Sequence, residues 1–180
     1  ISTHNGEELF CGRVHINLKK KYKNIISIII PRHIHRAQEI KEELNQIGLN
    51  VYIHSSGKNI PNNTDVYLVD TFGETKSFLK LSKIAFMGKS IQGHGGQNPI
   101  EAATLGNRII HGPNIENFIE VYDFLEKLGI STKIKSYKDL EKLIIKFNRK
   151  KNYSNQIRKK LAYTGKQILF NNEKEINKYF

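Results

Sequence analysis

Residues 88 to 106 read GKSIQGHGGQNPIEAATLG, a glycine-rich turn running straight into a segment where Pro99 suits the first turn of a helix. Gly93, Gly95 and Gly96 let backbone come close to a ligand. The free N–H groups at such a helix start point back toward the loop, so a nucleotide phosphate is the natural guest. Asn98 is a good N-cap. Glu101 in the first turn either favours the helix dipole or accepts hydrogen bonds from a ribose diol, and spacing alone leaves both open. The pattern is neither the G-x-x-x-x-G-K-[ST] phosphate loop nor the G-x-G-x-x-G dinucleotide fingerprint, which removes support for ATP hydrolysis and for NAD binding.

Four other polar clusters hold chemistry-bearing residues: STHNGEE (2 to 8), PRHIHR (31 to 36), DTFGE (70 to 74) and GPNIENF (112 to 118). Pro31 ends a strand because it cannot donate to the ladder. Arg32 after it can hold a phosphate or carboxylate bidentately, whereas Arg36, at a helix start, is expected in solvent. In DTFGE, Gly73 permits a tight bend and Glu74 opens a helix. Thr71 there either caps that helix or stands where backbone groups read a base edge. His4, His33, His35 and His94 are the nearest approach to a metal set, but no Asp, Glu or Cys with ligand spacing accompanies them, so no metal site is expected.

These clusters need a frame. Short apolar runs alternate with longer amphipathic segments, the signature of an α/β fold with a mostly parallel sheet. NIISIII (24 to 30) reads as a strand covered on both faces. Further strands are expected at 50 to 54, 66 to 69, 84 to 87 and 108 to 112, with a sixth at 132 to 135. Helical patterns cover 7 to 20, 36 to 47, 74 to 81, 99 to 105, 115 to 128, 137 to 149 and 153 to 170. Each polar cluster follows an actual or inferred strand and precedes a helix, so all five are expected on one rim, at the carboxyl ends of the strands, where open α/β sheets bind ligands.

The formal net charge is +12, and it is unevenly placed. Residues 133 to 180 hold 14 Lys and Arg against 4 Asp and Glu, while residues 1 to 132 hold 15 against 13. A basic terminal segment can meet nucleic acid, an anionic membrane or solvent, but interleaved stacking aromatics are not evident. One domain is expected, with an α/β core over 1 to 135 and a basic helical tail over 136 to 180. The opening ISTHNGEELF reads as a strand end entering a helix, as in a piece of a longer protein. Cys11 is the sole cysteine; it reads as a small half-buried apolar residue and suits a reducing compartment. No apolar run reaches the roughly 18 to 20 residues of a membrane span.

Taken in order, the clusters resemble the C-terminal domain of the 3-deoxy-D-manno-octulosonic acid (Kdo) transferases of lipopolysaccharide assembly. That family carries an STHxGE loop, an IPRHxxR strand end, a DTxGE turn and an FxGGSLxxxGGHNPxEAAxxGxPxxxGPxxxNF block. Here they stand as Ser2 to Glu7, Ile30 to Arg36, Asp70 to Glu74 and Phe86 to Phe118. Lys89 replaces the second Gly of FxGGSL, and Gln97 replaces the His of GGHNP. The likeness covers about residues 1 to 130.

The resemblance implies the GT-B architecture, of which this would be the C-terminal, Rossmann-like half: a parallel sheet with helices on both faces, followed by the helical tail. It implies contacts to CMP from Pro31 and Arg32, from Phe72, Gly73 and Glu74, and from Asn98, Pro99, Ile100 and Glu101. Ser2, His4, Lys89, Ser90, Gly95 and Gly96 would lie on the Kdo and phosphate side. The implied donor is CMP-Kdo, with no cofactor and no metal; the acceptor is a lipid A precursor. The general base, a Glu, and the lipid-binding surface belong to the N-terminal domain, so no catalytic residue is expected in these residues, and the chain alone is expected to transfer nothing. The implied location is the cytoplasmic face of the inner membrane, with a membrane surface as a further partner and no nucleic acid. The competing readings are a UDP-sugar transferase or epimerase of the same architecture, and a basic nucleic-acid-binding module.

Overall fold

The computed structural model describes residues 1–57, 59–148 and 153–178. It contains helices α1 (Glu7–Lys19), α2 (Ala37–Gln46), α3 (Thr75–Leu81), α4 (Ile100–Thr104), α5 (Ile119–Lys127), α6 (Tyr137–Asn148) and α7 (Tyr153–Ile176). The strands are β1 (Ser27–Ile29), β2 (Val51–Ile53), β3 (Val66–Leu68), β4 (Ile84–Met87), β5 (Arg108–His111) and β6 (Ser131–Lys133). They form two parallel sheets, ordered β1-β3-β2 and β4-β5-β6. Residues 1 to 3 join the two: Thr3 forms a parallel bridge with Pro31, and the Gly88 N–H donates to the carbonyl of Ile1 at 2.8 Å. The rims of both sheets therefore lie along one edge, with the first polar cluster between them.

Strand residues alternate between the two faces, as the pleat requires. Met87 and Ile109 enter a core with Tyr122, Leu125 and Ile157. Phe86 and Ile110 enter another with Val14, Leu18 and Leu140. Under β1 to β3, Ile40 and Leu44 of α2 pack on Ile29, Val66 and Leu68; their i, i+4 spacing gives α2 one apolar face. β5 is buried along its whole length, as a central strand covered on both faces must be.

The tail is anchored to the body. Leu140 of α6 and Ile157 of α7 are buried. The Arg108 guanidinium lies 4.3 Å from the Phe147 ring centroid and 3.7 Å from that of Tyr153, while donating to the carbonyl of Gly129 at 2.7 Å. The expected end of α6 at 149 lies outside the described residues. α7 runs to Ile176, six residues past its expected end at 170. No described helix is long and apolar enough to cross a membrane.

Three local readings change. β1 spans three residues rather than the expected 24 to 30, because a strand exists only where a neighbour pairs with it. The helix expected from 115 begins as a 3-10 turn at Glu116–Phe118 and becomes α-helical at Ile119. Arg36 is not in solvent: its guanidinium meets the buried Glu8 carboxylate at 3.4 Å and Glu39 at 3.0 Å. It neutralises a charge that could not otherwise be buried.

Candidate functional site

The glycine-rich loop after β4 is built around a carboxylate from another element. Glu7 opens α1, where Gly6 takes a left-handed conformation at the N-cap, and its side chain is fully buried. Its Oε2 accepts from the backbone N–H of His4 at 2.9 Å and of Lys89 at 2.7 Å. Its Oε1 accepts from Ser90 and Ile91, each at 3.0 Å, and from Gln92 at 3.3 Å. Sequence reasoning placed Glu7 in a motif but gave it no role; four of its five partners lie more than 80 residues away.

The rest of the loop is fixed with similar economy of space. Gly112 comes so close to the Ser90 carbonyl that an added Cβ would lie 2.1 Å from its oxygen. The Ser90 hydroxyl donates to the carbonyl of Met87 and accepts from the Gly112 N–H at 2.8 Å. Ser90 is wholly buried, so its side chain holds the loop together instead of facing the rim. Glu116 accepts from the Gly95 N–H at 2.6 Å. Its own N–H and that of Gly95 hold its carboxyl below the usual range. Gly93, Gly95 and Gly96 all have positive φ, which glycine adopts without a steric penalty. α4 is one turn of five residues with Pro99 at the N-cap position; the Asn98 side chain still accepts from the Ile100 N–H at 3.0 Å. So short a helix contributes little dipole, and an anion at this rim would have to be met by side chains.

Among the described residues, two non-glycine residues adopt positive φ, Ser2 at 52° and Lys89 at 56°. Such conformations gather at functional sites, where surrounding contacts impose them. The two segments adjoin, since a Cβ at Gly88 would meet the Ser2 carbonyl oxygen at 2.2 Å. His4 stands beside them, edge-on to His33 with ring centroids 5.5 Å apart. Partial burial pushes the His4 imidazole below its ordinary range; Glu7 opposes that, and His33, Lys89 and Arg32 reinforce it. Arg32 and Lys89 both belong to segments bonded to residues 1 to 3: the Arg32 N–H donates to the Thr3 carbonyl at 3.0 Å, and Lys89 follows Gly88, whose N–H donates to Ile1.

The 70 to 74 turn is held separately. Asp70 accepts from the Ser55 N–H at 3.0 Å, and Glu74 is bound by the Thr71 hydroxyl and by His54 at 3.0 Å. Thr71 thus steadies the Glu74 side chain and caps no helix. His54, which sequence reasoning missed, carries no local motif. Phe72 is 79% exposed, and Gly73 has a φ of 84° with open space around it. Arg32 and Glu101 are exposed, and Lys89 is half-buried. Among the described residues, their side chains enter no ion pair, while Glu7, Glu74 and Glu116 are engaged within the protein.

Of the four histidines, His33 neighbours His4 and His35 with ring centroids 5.5 and 5.7 Å apart, while His94 leans on Glu116 at 3.9 Å. Among the described residues, no group of three or more His, Cys, Asp or Glu is placed to hold an ion. A groove of about 440 Å³ lies between β1 and β4, lined by apolar residues such as Val14, Leu18, Ile28, Ile84 and Phe86. Of the five polar clusters only Thr3 lines it, so it is not the candidate site. Cys11 lines it, and burial pushes its thiol up to about 12.

No protein-family model matches the chain. It is 32% identical over 173 residues to the 3-deoxy-D-manno-octulosonic acid transferase of Haemophilus influenzae, covering 95% of this chain and 39% of that protein. With the enzyme of the same name from Aquifex aeolicus it shares 31% over 139 residues, 77% of this chain and 38% of the relative. The chain thus spans about two fifths of the length of these relatives. Its fold matches the crystal structure of the C-terminal CMP-Kdo binding domain of WaaA from Acinetobacter baumannii with a TM-score of 0.81. That match is 24% identical and covers 90% of this chain and 84% of the other.

Proposed function

Since the chain is a homologue of the 3-deoxy-D-manno-octulosonic acid transferases over most of its length, we propose that it is the donor-binding domain of such an enzyme, holding CMP-Kdo at the rim. One observation carries the reading. Three rim carboxylates, Glu7, Glu74 and Glu116, are engaged internally, while two cations, Arg32 and Lys89, and one carboxylate, Glu101, remain free. Free cations suit an anionic donor, and a free carboxylate suits a neutral diol.

In this reading Pro31 and Arg32 flank the phosphate, and the exposed Phe72 with Gly73 and Glu74 meets the base. Asn98, Pro99, Ile100 and Glu101 take the ribose. Ser2, His4, Lys89, Gly95 and Gly96 face the sugar acid. Transfer breaks the bond between Kdo and the phosphate oxygen and forms one to an acceptor hydroxyl, whose proton goes to a base. The residues here serve the leaving CMP, whose charge Arg32 and Lys89 would offset. The acceptor is a lipid A precursor in lipopolysaccharide assembly, and the base comes from a second domain. The reaction takes no cofactor and no metal, and the setting is the cytoplasmic face of the inner membrane, where the basic tail meets anionic lipid.

Isothermal titration with CMP, and with UMP as control, tests this. CMP is expected to bind more tightly than UMP, and Glu101→Ala to lose about 1–2 kcal/mol, close to tenfold, as one charge-assisted hydrogen bond implies. Equal binding of CMP and UMP, or a variant indistinguishable from wild type, would sink the reading.

A further inference from the structure

Building on the donor-binding reading, we infer that Glu7 is a positioning residue: its carboxylate occupies the anion nest of the glycine-rich loop from within, and so sets Lys89 against the donor. Four consecutive backbone N–H groups, Lys89 to Gln92, converge on one carboxylate. Convergent N–H groups of this kind are what a loop offers to a phosphate. Here the anion is part of the chain, and the donor's charge is excluded from the nest. It has to be met by side chains instead, and Arg32 and Lys89 are the free cations beside it.

The arrangement also explains how a lysine tolerates its backbone. Lys89 has a φ of 56°, in a region that L-residues avoid. Its N–H donates to Glu7 Oε2 at 2.7 Å, the shortest of the five bonds to that carboxylate. From there the side chain runs over the glycine turn, with its Cγ 3.6 Å from where a Cβ of Gly93 would stand. An apolar residue in place of Glu7 would leave all these buried N–H groups unpaired, so the position requires an acceptor.

The two oxygens divide the work, and that division makes a selective perturbation possible. Oε1 serves Ser90, Ile91 and Gln92, while Oε2 serves His4 and Lys89. In Glu7→Gln the amide carbonyl keeps the three-fold side, and the amide NH2 turns toward the His4 and Lys89 N–H groups, where two donors now face a third. The loop stays closed, but Lys89 loses its anchor.

The experiment is a double-mutant cycle on CMP affinity with the 180-residue chain: wild type, Glu7→Gln, Lys89→Gly and the double variant. Circular dichroism verifies the fold, and amide hydrogen exchange is followed at residues 89 to 92. Glu7→Gln is expected to weaken CMP roughly tenfold, with faster exchange at Lys89 and retained protection from Ser90 to Gln92. The double variant is expected to bind no worse than the weaker single variant, since both changes break the same link. Purely structural damage would move all four amides together and give additive losses. A folded Glu7→Gln that binds CMP like wild type overturns the inference, as does an additive cycle. Should Glu7→Gln not fold, Glu7→Asp, which keeps the charge but withdraws it by one methylene, is read in the same way. Absence of CMP binding by the wild type overturns the donor reading itself, whereas wild-type binding with an unaffected variant overturns the role of Glu7 alone.

Discussion

A single methyl group at position 112 should unsettle both the fold and the site. An alanine Cβ there would sit 2.1 Å from the Ser90 carbonyl oxygen and 2.5 Å from its carbon, so one strand end must recede by about 1 Å to restore ordinary contact. Ser90 cannot recede freely. Its N–H is bound to Glu7 at 3.0 Å, its carbonyl accepts from Asn114 N–H at 3.0 Å, and its hydroxyl ties it to Gly112 and Met87. Overpacking typically costs 1–3 kcal/mol, and obstruction by backbone places Gly112→Ala near the top, about 3 kcal/mol. For a domain of this size that lowers Tm by about 6–12 °C. Gly165→Ala makes the same chemical change inside α7, where nothing lies within 4 Å of the new Cβ. It should instead raise helicity and stabilise by about 0.5–1 kcal/mol. Calorimetry and far-ultraviolet circular dichroism on the pair give the answer. A Gly112→Ala melting point within about 2 °C of wild type would refute the claim that this close approach fixes the loop.

Other outcomes follow from the same geometry. Arg108→Lys keeps the charge but loses the flat guanidinium that lies against Phe147 and Tyr153; urea unfolding should show a loss of about 1–2 kcal/mol, and an unchanged midpoint would contradict the anchoring of the tail through Arg108. Stability should fall as pH drops through the histidine range. Burial lowers His4, His15 and His111 from an ordinary value of 6.5, so the unfolded chain binds protons first, and the contribution present above 6.5 is lost as pH falls toward the depressed folded values. Glu8, raised by burial, works in the opposite sense, one group against three. A melting temperature that is flat from pH 7 to pH 5 would count against this balance.

How far the sequence could be read depended on whether the cause was local. β4 was expected at 84 to 87 and forms there, because an apolar run closed by Gly88 carries its own end signal. β1 was overextended because Ile26 belongs to the same apolar run yet is 46% exposed; the pattern records hydrophobicity and not whether a neighbour pairs with it. Arg36 was misplaced for the same reason. Its Glu8 partner is 28 residues away, and nothing in PRHIHR announces it. The motif letters marked clusters that the fold gathers along one edge, but the division of labour within that edge came from contacts between distant segments. Ser90 turned inward and Glu7 entered the loop because buried N–H groups must find acceptors, a demand visible only once the backbone is folded.

That division also separates net charge from ligand preference. Most of the excess positive charge lies in residues 133 to 180, whereas the five polar clusters lie within residues 2 to 118. Composition alone would favour a polyanion, bound along a broad basic surface with a steep salt dependence. The rim instead offers two free cations, Arg32 and Lys89, beside one free carboxylate, Glu101, and an exposed aromatic ring, Phe72. A free carboxylate repels a phosphate chain but accepts hydrogen bonds from a sugar diol. The local balance therefore favours one small ligand with an anionic end and a hydroxylated middle over an extended polyanion. Internal engagement of Glu7, Glu74 and Glu116 creates that balance: with those three carboxylates free, the rim would repel the phosphate it is proposed to hold.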